Sequence, residues 1–201
     1  MSGIDWSFIA QKGVEGESTH TTGYVPREGS GFTVGSVDIG KHSGGEYGDL
    51  WTMLQSYANK QSSTGSGPIN RDLYNKLNPF TSRTNVSDIE ARKVSFDKDE
   101  IDYITQAKRF SFEKSIRSKG GKDEEGNYMW DKISPRKKTI LGSIGWQYGL
   151  NSPHFKALWD ARDSKKEMIE KLNEWGGEEF EERRGIEVKH LNPSDEVTIM
   201  D

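Results

Sequence analysis

Glu15, Thr33 and Asp38 are the residues of this chain whose types and placement suit chemistry. They lie in the run EGESTHTTGYVPREGSGFTVGSVDIG, positions 15–40. Two β-prone stretches, GYVP and FTVG, flank the turn-forming REGSG, which is the pattern of a hairpin. A hairpin reverses the chain and can gather an acid, a hydroxyl and a second carboxylate around one mouth. That set suits hydrolysis of a glycosidic bond: one carboxylic acid protonates the leaving oxygen, and a carboxylate activates water on the opposite face of the sugar. The same residues also fit a glycine-rich surface loop, with Glu15 solvated, Thr33 an ordinary strand residue and Asp38 a turn or cap residue.

The elements that must position these groups follow from periodicity and caps. A short helix is predicted over 5–14, with Asp5 as N-cap and Trp6, Phe8 and Ile9 supplying apolar contacts, so that Glu15 falls at its end. A helix over 46–60 carries Leu50, Trp51, Leu54 and Tyr57 at helical spacing. QSSTGSGP, 61–68, reads as a flexible connection, 70–77 as a short helix ending before Pro79, and 87–93 as a brief helix. Asp97 and Glu100 have capping-box spacing for a long helix to Arg117, followed by an exposed charged loop over 119–127. Ser134-Pro135 opens the next helix with Ile140, Leu141, Ile144 and Tyr148 on its buried face and Gly149 at its end. Ser152-Pro153 starts another, Asp163 a third that Gly176-Gly177 stops, and a last helix covers about 179–191. The tail after Pro193 has little to hold it. The expected class is α+β, mostly α.

Bulk properties narrow the function classes. A chain of 201 residues suits one domain, or a domain with a small subdomain. Only 31% of it is hydrophobic, so the core must be economical and draw on its six Trp, seven Tyr and eight Phe. A net charge of −4 and the lack of a Lys/Arg block argue against nucleic acid as the main partner. There is no cysteine, hence no disulfide framework and no thiol chemistry. The histidines at 20, 42, 154 and 190 lack metal-ligand spacing, so no metal is expected; no phosphate-binding loop, dinucleotide fingerprint or nucleophile elbow occurs, and no cofactor is expected. MSGIDWSFIAQKG shows neither a basic segment nor an apolar core of a secretory signal, and no stretch is long and apolar enough to span a membrane.

The catalytic run resembles that of the pesticin and phage-type lysozymes. In that family a first helix ends in Glu-Gly, a Gly-Tyr-Val-Pro hairpin follows, then Ser-Gly-Val-Thr-Ile-Gly and Asp-Leu-Gly. The matching residues here are Glu15-Gly16, Gly23 to Pro26, Ser30 to Gly35 and Asp38 to Gly40; the interval from Thr33 to Asp38 is one residue shorter than the usual spacing. SPRKKTILGSIGWQYG resembles the family's central helix, and its ending Trp146-Gln147-Tyr148-Gly149 places Gln147 where that family has a glutamine looking into the substrate cleft. EERRGIEVKHL resembles the final helix, whose arginine pairs with the catalytic Glu; here that is Arg183 or Arg184, each of which also fits a surface pair with Glu179 or Glu187. The resemblance runs from Trp6 to Leu191, specific over 15–40 and 134–191 and loose over 45–130.

What the resemblance implies is a lysozyme-like fold over 1–192, with a catalytic hairpin region in 1–60, a helical lobe in 97–192 and a tail at 193–201. It implies a muramidase cutting the β-1,4 bond from N-acetylmuramic acid to N-acetylglucosamine in peptidoglycan. Glu15 is then the general acid, Asp38 with Thr33 positions water, and Tyr24 and Gln147 contact the glycan. The expected arrangement gathers Glu15, Thr33 and Asp38 at a groove between hairpin and helices, with the carboxyls roughly 6.5–9.5 Å apart for inversion. A lytic transglycosylase using Glu15 alone, and a glycan-binding or structural module that does not cut, are the alternatives. The chain is expected to act as a monomer. It would be made in the cytoplasm and reach the wall through a holin, a phage particle or a secretion machine, with an immunity or inhibitor protein as a further conceivable partner.

Overall fold

A computed structural model of the chain describes residues 3–11, 21–26, 31–35, 37–41, 49–81, 83, 85–175 and 180–192. The class is the expected α+β, mostly α: the described strands form one two-stranded antiparallel sheet, and helices make up most of the rest. The chain divides into two compact units. The first joins the beginning of the chain, Met1–Gly16, to its end, Ile116–Asp201; the second is Glu17–Ser115.

The second unit is built on β1 (Thr33–Val34) and β2 (Val37–Asp38), paired with Thr33 opposite Asp38 and Val34 opposite Val37. Gly35, in the connection between them, has φ +58°, a conformation that β-branched neighbours could not share at low cost. Phe32, Val34, Val37 and Ile39 alternate onto one face, and all four are fully buried. They pack in one core with Leu50, Met53 and Leu54 of α2 (Leu50–Gln61), Leu73 and Leu77 of α3 (Arg71–Leu77), and Ile104 and Ala107 of α5 (Lys98–Lys119). Residues 21–25 bind the sheet to the segment behind α4 (Asp88–Ala91). The Gly23 amide donates to the Val94 carbonyl at 2.9 Å, and Tyr24 exchanges both backbone hydrogen bonds with Thr33.

The helix starts are set by side-chain caps. Asp49 accepts from the Thr52 amide, Asn70 from Leu73 and Ser87 from Glu90. Asp97 and Glu100 form the reciprocal capping box that their spacing predicts, at 2.8 and 3.1 Å. Three expectations in this unit change. Asp49 is extended, so α2 begins at Leu50 rather than at Glu46. Trp51 does not join the buried face; it is 39% exposed, its ring edge-on to Tyr74. The stretch after α2 is not a free linker, because Gln55 donates to the Gly67 carbonyl and Asn59 accepts from the Gly67 amide.

In the first unit, α6 (Pro135–Tyr148) is the central helix. It is buried nearly all round from Lys138 to Gly145, and its small residues Gly142, Ser143 and Gly145 let neighbours come close. α1 (Trp6–Ala10) lies on it: the Asp5 amide donates to Thr139 at 2.9 Å, and the Trp6 and Trp146 rings meet edge to face. α7 (Pro153–Asp160) and α9 (Glu181–Leu191) also pack on α6, and α8 (Lys165–Glu174) bridges α7 and α9. α1 stops at Ala10, shorter than the expected 5–14, because Gln11 is already extended. Ser134 precedes Pro135 as expected but makes no side-chain cap bond, and α8 is capped by Ser164 rather than Asp163. The charged stretch 119–127 is the exposed loop expected, most of its residues facing water, and it closes as a small hairpin: Lys122 bridges Tyr128, Asp123 accepts from the Asn127 amide, and Lys132 pairs with Asp123 at 2.6 Å.

Candidate functional site

In the second unit, strand alternation decides which groups can act together. With Phe32, Val34, Val37 and Ile39 on the buried face, Tyr24, Thr33 and Asp38 share the other. Thr33 is the middle member, opposite Tyr24 on one side and Asp38 on the other. A carboxylate and a hydroxyl thus stand as a cross-strand pair, with Cβ atoms about 4.5–5.5 Å apart in such pairs. The Thr33 side chain is nonetheless only 5% exposed, and its hydroxyl donates to the Gly31 carbonyl at 3.2 Å. Its remaining capacity is as an acceptor. Asp38 is half-buried, and its Oδ1 rests on the glycine backbone: a Cβ on Gly31 would come within 2.5 Å of it, and one on Gly40 within 3.2 Å. The Tyr24 phenol donates to the Gly35 carbonyl at 2.8 Å, so it clasps the β1–β2 turn. Glu15, the expected acid, and His20 lie outside the described residues.

The first unit carries a second constellation, where α9 meets α6. Arg183, Arg184 and Glu187 are all buried, Glu187 completely. The Arg183 Nε and Arg184 guanidinium both donate to the Glu187 carboxylate, one to each oxygen. Ser143 of α6 donates to Glu187 Oε1 at 2.5 Å, and Arg183 returns bonds to the Ser143 carbonyl and hydroxyl at 3.2 and 3.0 Å. Arg184 reaches the other way, to Gln147 Oε1 and, at 3.3 Å, to the Tyr148 hydroxyl. The two arginines are therefore not the surface ion-pair partners that their spacing also allowed. They sit at different depths: Arg183 is tied to the backbone of α6, while Arg184 is tied to side chains at its half-buried end.

This arrangement fixes the chemistry that Gln147 can offer. A guanidinium only donates, so the Gln147 oxygen must face Arg184 and its NH2 group points elsewhere. The side chain is then a donor to any ligand, not a donor and acceptor. The half-buried rings of Tyr148, His154 and Trp175 follow in a row, Tyr148 stacked on His154 at 4.4 Å and Trp175 edge-on to it at 4.9 Å.

Sequence reasoning offered Glu187 as a surface partner of the arginines, not a buried one, and missed Ser143. The signal was present: Glu187 stands three and four residues after the arginines, which puts it on their face of α9. The small residues around Ser143 mark the side of α6 where another helix approaches. Among the described residues, no three His, Asp or Glu side chains cluster as a metal site would need. No family model matches the chain, and no characterised protein matches it.

Proposed function

We propose that the chain is a peptidoglycan hydrolase with a lysozyme-like fold, a muramidase that cleaves the β-1,4 bond from N-acetylmuramic acid to N-acetylglucosamine. Glu15 is the general acid and must keep a proton near neutral pH, which requires a pKa above the ordinary carboxylate range. Asp38, beside Thr33, orients or deprotonates the attacking water. Gln147, held by Arg184, donates to an acceptor on the sugar, such as an acetamido oxygen. Tyr24 keeps the β1–β2 turn in shape.

The observation that supports this reading most is the register of β1 and β2. It places Thr33 directly opposite Asp38, within the run whose sequence resembles the catalytic segment of phage-type lysozymes. The shorter Thr33–Asp38 interval is compatible with that pairing, since two residues suffice for the turn. One observation favours the second reading, a module that grips glycan without cutting it: the Thr33 hydroxyl is nearly buried and its proton is engaged by Gly31. Purified cell walls separate the two. Under the first reading the wild type clears them and releases new reducing ends, and Glu15→Gln does not. Anhydro-sugars in place of reducing ends mark a transglycosylase. Wall binding with no released product marks the binding module.

A further inference from the structure

In the first unit, a cavity of about 380 Å³ opens where the turn around Asp123, the start of α6 and the end of α7 meet. That size falls within the range of small-ligand sites, about 300–1,000 Å³. Lys132, Ser134, Lys137 and Arg162 line it, with Asp123 and Asp163. Lys132 is matched by Asp123 at 2.6 Å and by Glu125, outside the lining, at 3.8 Å, which leaves Lys137 and Arg162 facing Asp163 alone, a local surplus of one positive charge on that side.

The surplus is concentrated on Lys137 and Arg162. Asp123 is engaged by Lys132 at 2.6 Å. The Lys137 ammonium is held by two neutral groups, the carbonyls of Arg162 and Asp163 at 2.6 and 3.2 Å. Arg162 donates to the Trp159 carbonyl at 2.9 Å and stands 3.9 Å from the Asp163 carboxylate, a side chain 89% exposed to water. Ser134 lines the cavity and makes no side-chain cap bond to α6.

We propose that this cavity binds the phosphate group of a phosphate ester. Residues able to donate line it from separate segments: Ser134 and Lys137 at the start of α6, and Arg162 after α7, with at least one ammonium proton of Lys137 left beyond its two carbonyl partners. Several donors converging from different directions suit a tetrahedral oxyanion, whereas a planar carboxylate is best met by the fork of one free guanidinium. Here the Arg162 fork is already partly occupied by Trp159. The cavity exceeds what a bare phosphate fills, and the remaining space takes the esterified group. A small monoester and a phosphodiester polymer share this phosphoryl group, with three unesterified oxygens in the first and two in the second.

The test is a titration of the full chain followed by amide NMR, at constant ionic strength held with sodium chloride. Glycerol 3-phosphate is one arm and poly(glycerol phosphate) the other. Saturable shifts are expected at 134–137 and 162–163. Lys137→Gln should weaken binding about tenfold or more, as expected for a lost charged hydrogen bond. Lys137 also holds the end of α7, so Ser134→Ala, which removes no structural bond, is the control for folding; it should weaken binding about threefold, the effect of a neutral hydrogen bond. Tighter binding of the polymer assigns the site to a phosphodiester chain, and tighter binding of glycerol 3-phosphate to a small ester. Non-saturating shifts in both arms, or equal affinity in the wild type and both variants, overturn the proposal.

Discussion

Glu187 carries one negative charge between two guanidiniums in a place closed to water. Breaking a buried pair strands the partner's charge, which typically costs about 3–5 kcal/mol. Glu187→Gln keeps the shape and removes the charge, so urea unfolding should show a loss of that order, and an unchanged midpoint would contradict the network. Gln147→Glu makes the opposite kind of change. The new carboxylate still accepts from Arg184, so the thermal midpoint should hold, but the donor that faces outward becomes an acceptor. If Gln147 donates to the glycan, wall lysis should fall about tenfold or more, the value of one hydrogen bond of roughly 1.4 kcal/mol; full activity would remove Gln147 from the site. At this scale the residue types were legible in the sequence and their depth was not. Arg183 and Arg184 read equally well as surface partners, because i,i+3 and i,i+4 spacing places side chains on one face without saying whether another helix covers it. The engagement of the Thr33 hydroxyl by Gly31 was hidden for a similar reason, since it depends on how the backbone runs beside the strand.

The elements were legible where local chemistry decides them. Asp5, Ser152 and the Asp97/Glu100 box cap the helices that their spacing predicts. They were misjudged where a distant contact decides. The stretch after α2 is polar enough to read as a flexible connection, yet Gln55 and Asn59 hold it through Gly67. The β-region shows both cases: alternation gives the buried face, but no local pattern shows that the backbone at Gly23 lies close against the Phe32 ring. A Cβ on Gly23 would stand 2.2 Å from the Phe32 ring and 2.9 Å from the Ala91 carbonyl. Phe32 cannot retreat, being stacked on Phe80 at 3.9 Å. Gly23→Ala should therefore destabilise the second unit by about 1–3 kcal/mol, the usual cost of overpacking. Thermal unfolding checks this, and a wild-type midpoint would mean that the segment moves aside freely.

At the scale of the molecule, the first unit is assembled from the two ends of the chain, and α1 is joined to α9 by the Phe8 and His190 rings, 4.1 Å between centroids. Burial pushes the His190 pKa down, and Arg136 adds to this, against the pull of Asp5. The folded state thus holds His190 neutral at pH values where the unfolded chain protonates it. Stability is undiminished above the ordinary histidine value, about 6.5, and is lost as pH falls below it toward the lower folded value. His190→Phe keeps a ring against Phe8 and cannot titrate, so its stability should decline less than the wild type's between neutral and mildly acidic pH; parallel curves would mean that His190 plays no part. No periodicity in the sequence announces that the ends of the chain share a unit. The central claim, however, concerns chemistry, and Glu15 tests it most directly. Glu15→Gln preserves size and removes the acid, and a general acid contributes about 10²–10⁴-fold. Release of reducing ends from purified peptidoglycan should be measurable for the wild type and should fall by that factor in a folded Glu15→Gln variant. Equal release by the two proteins, or none from a wild type that binds the wall, would contradict the account.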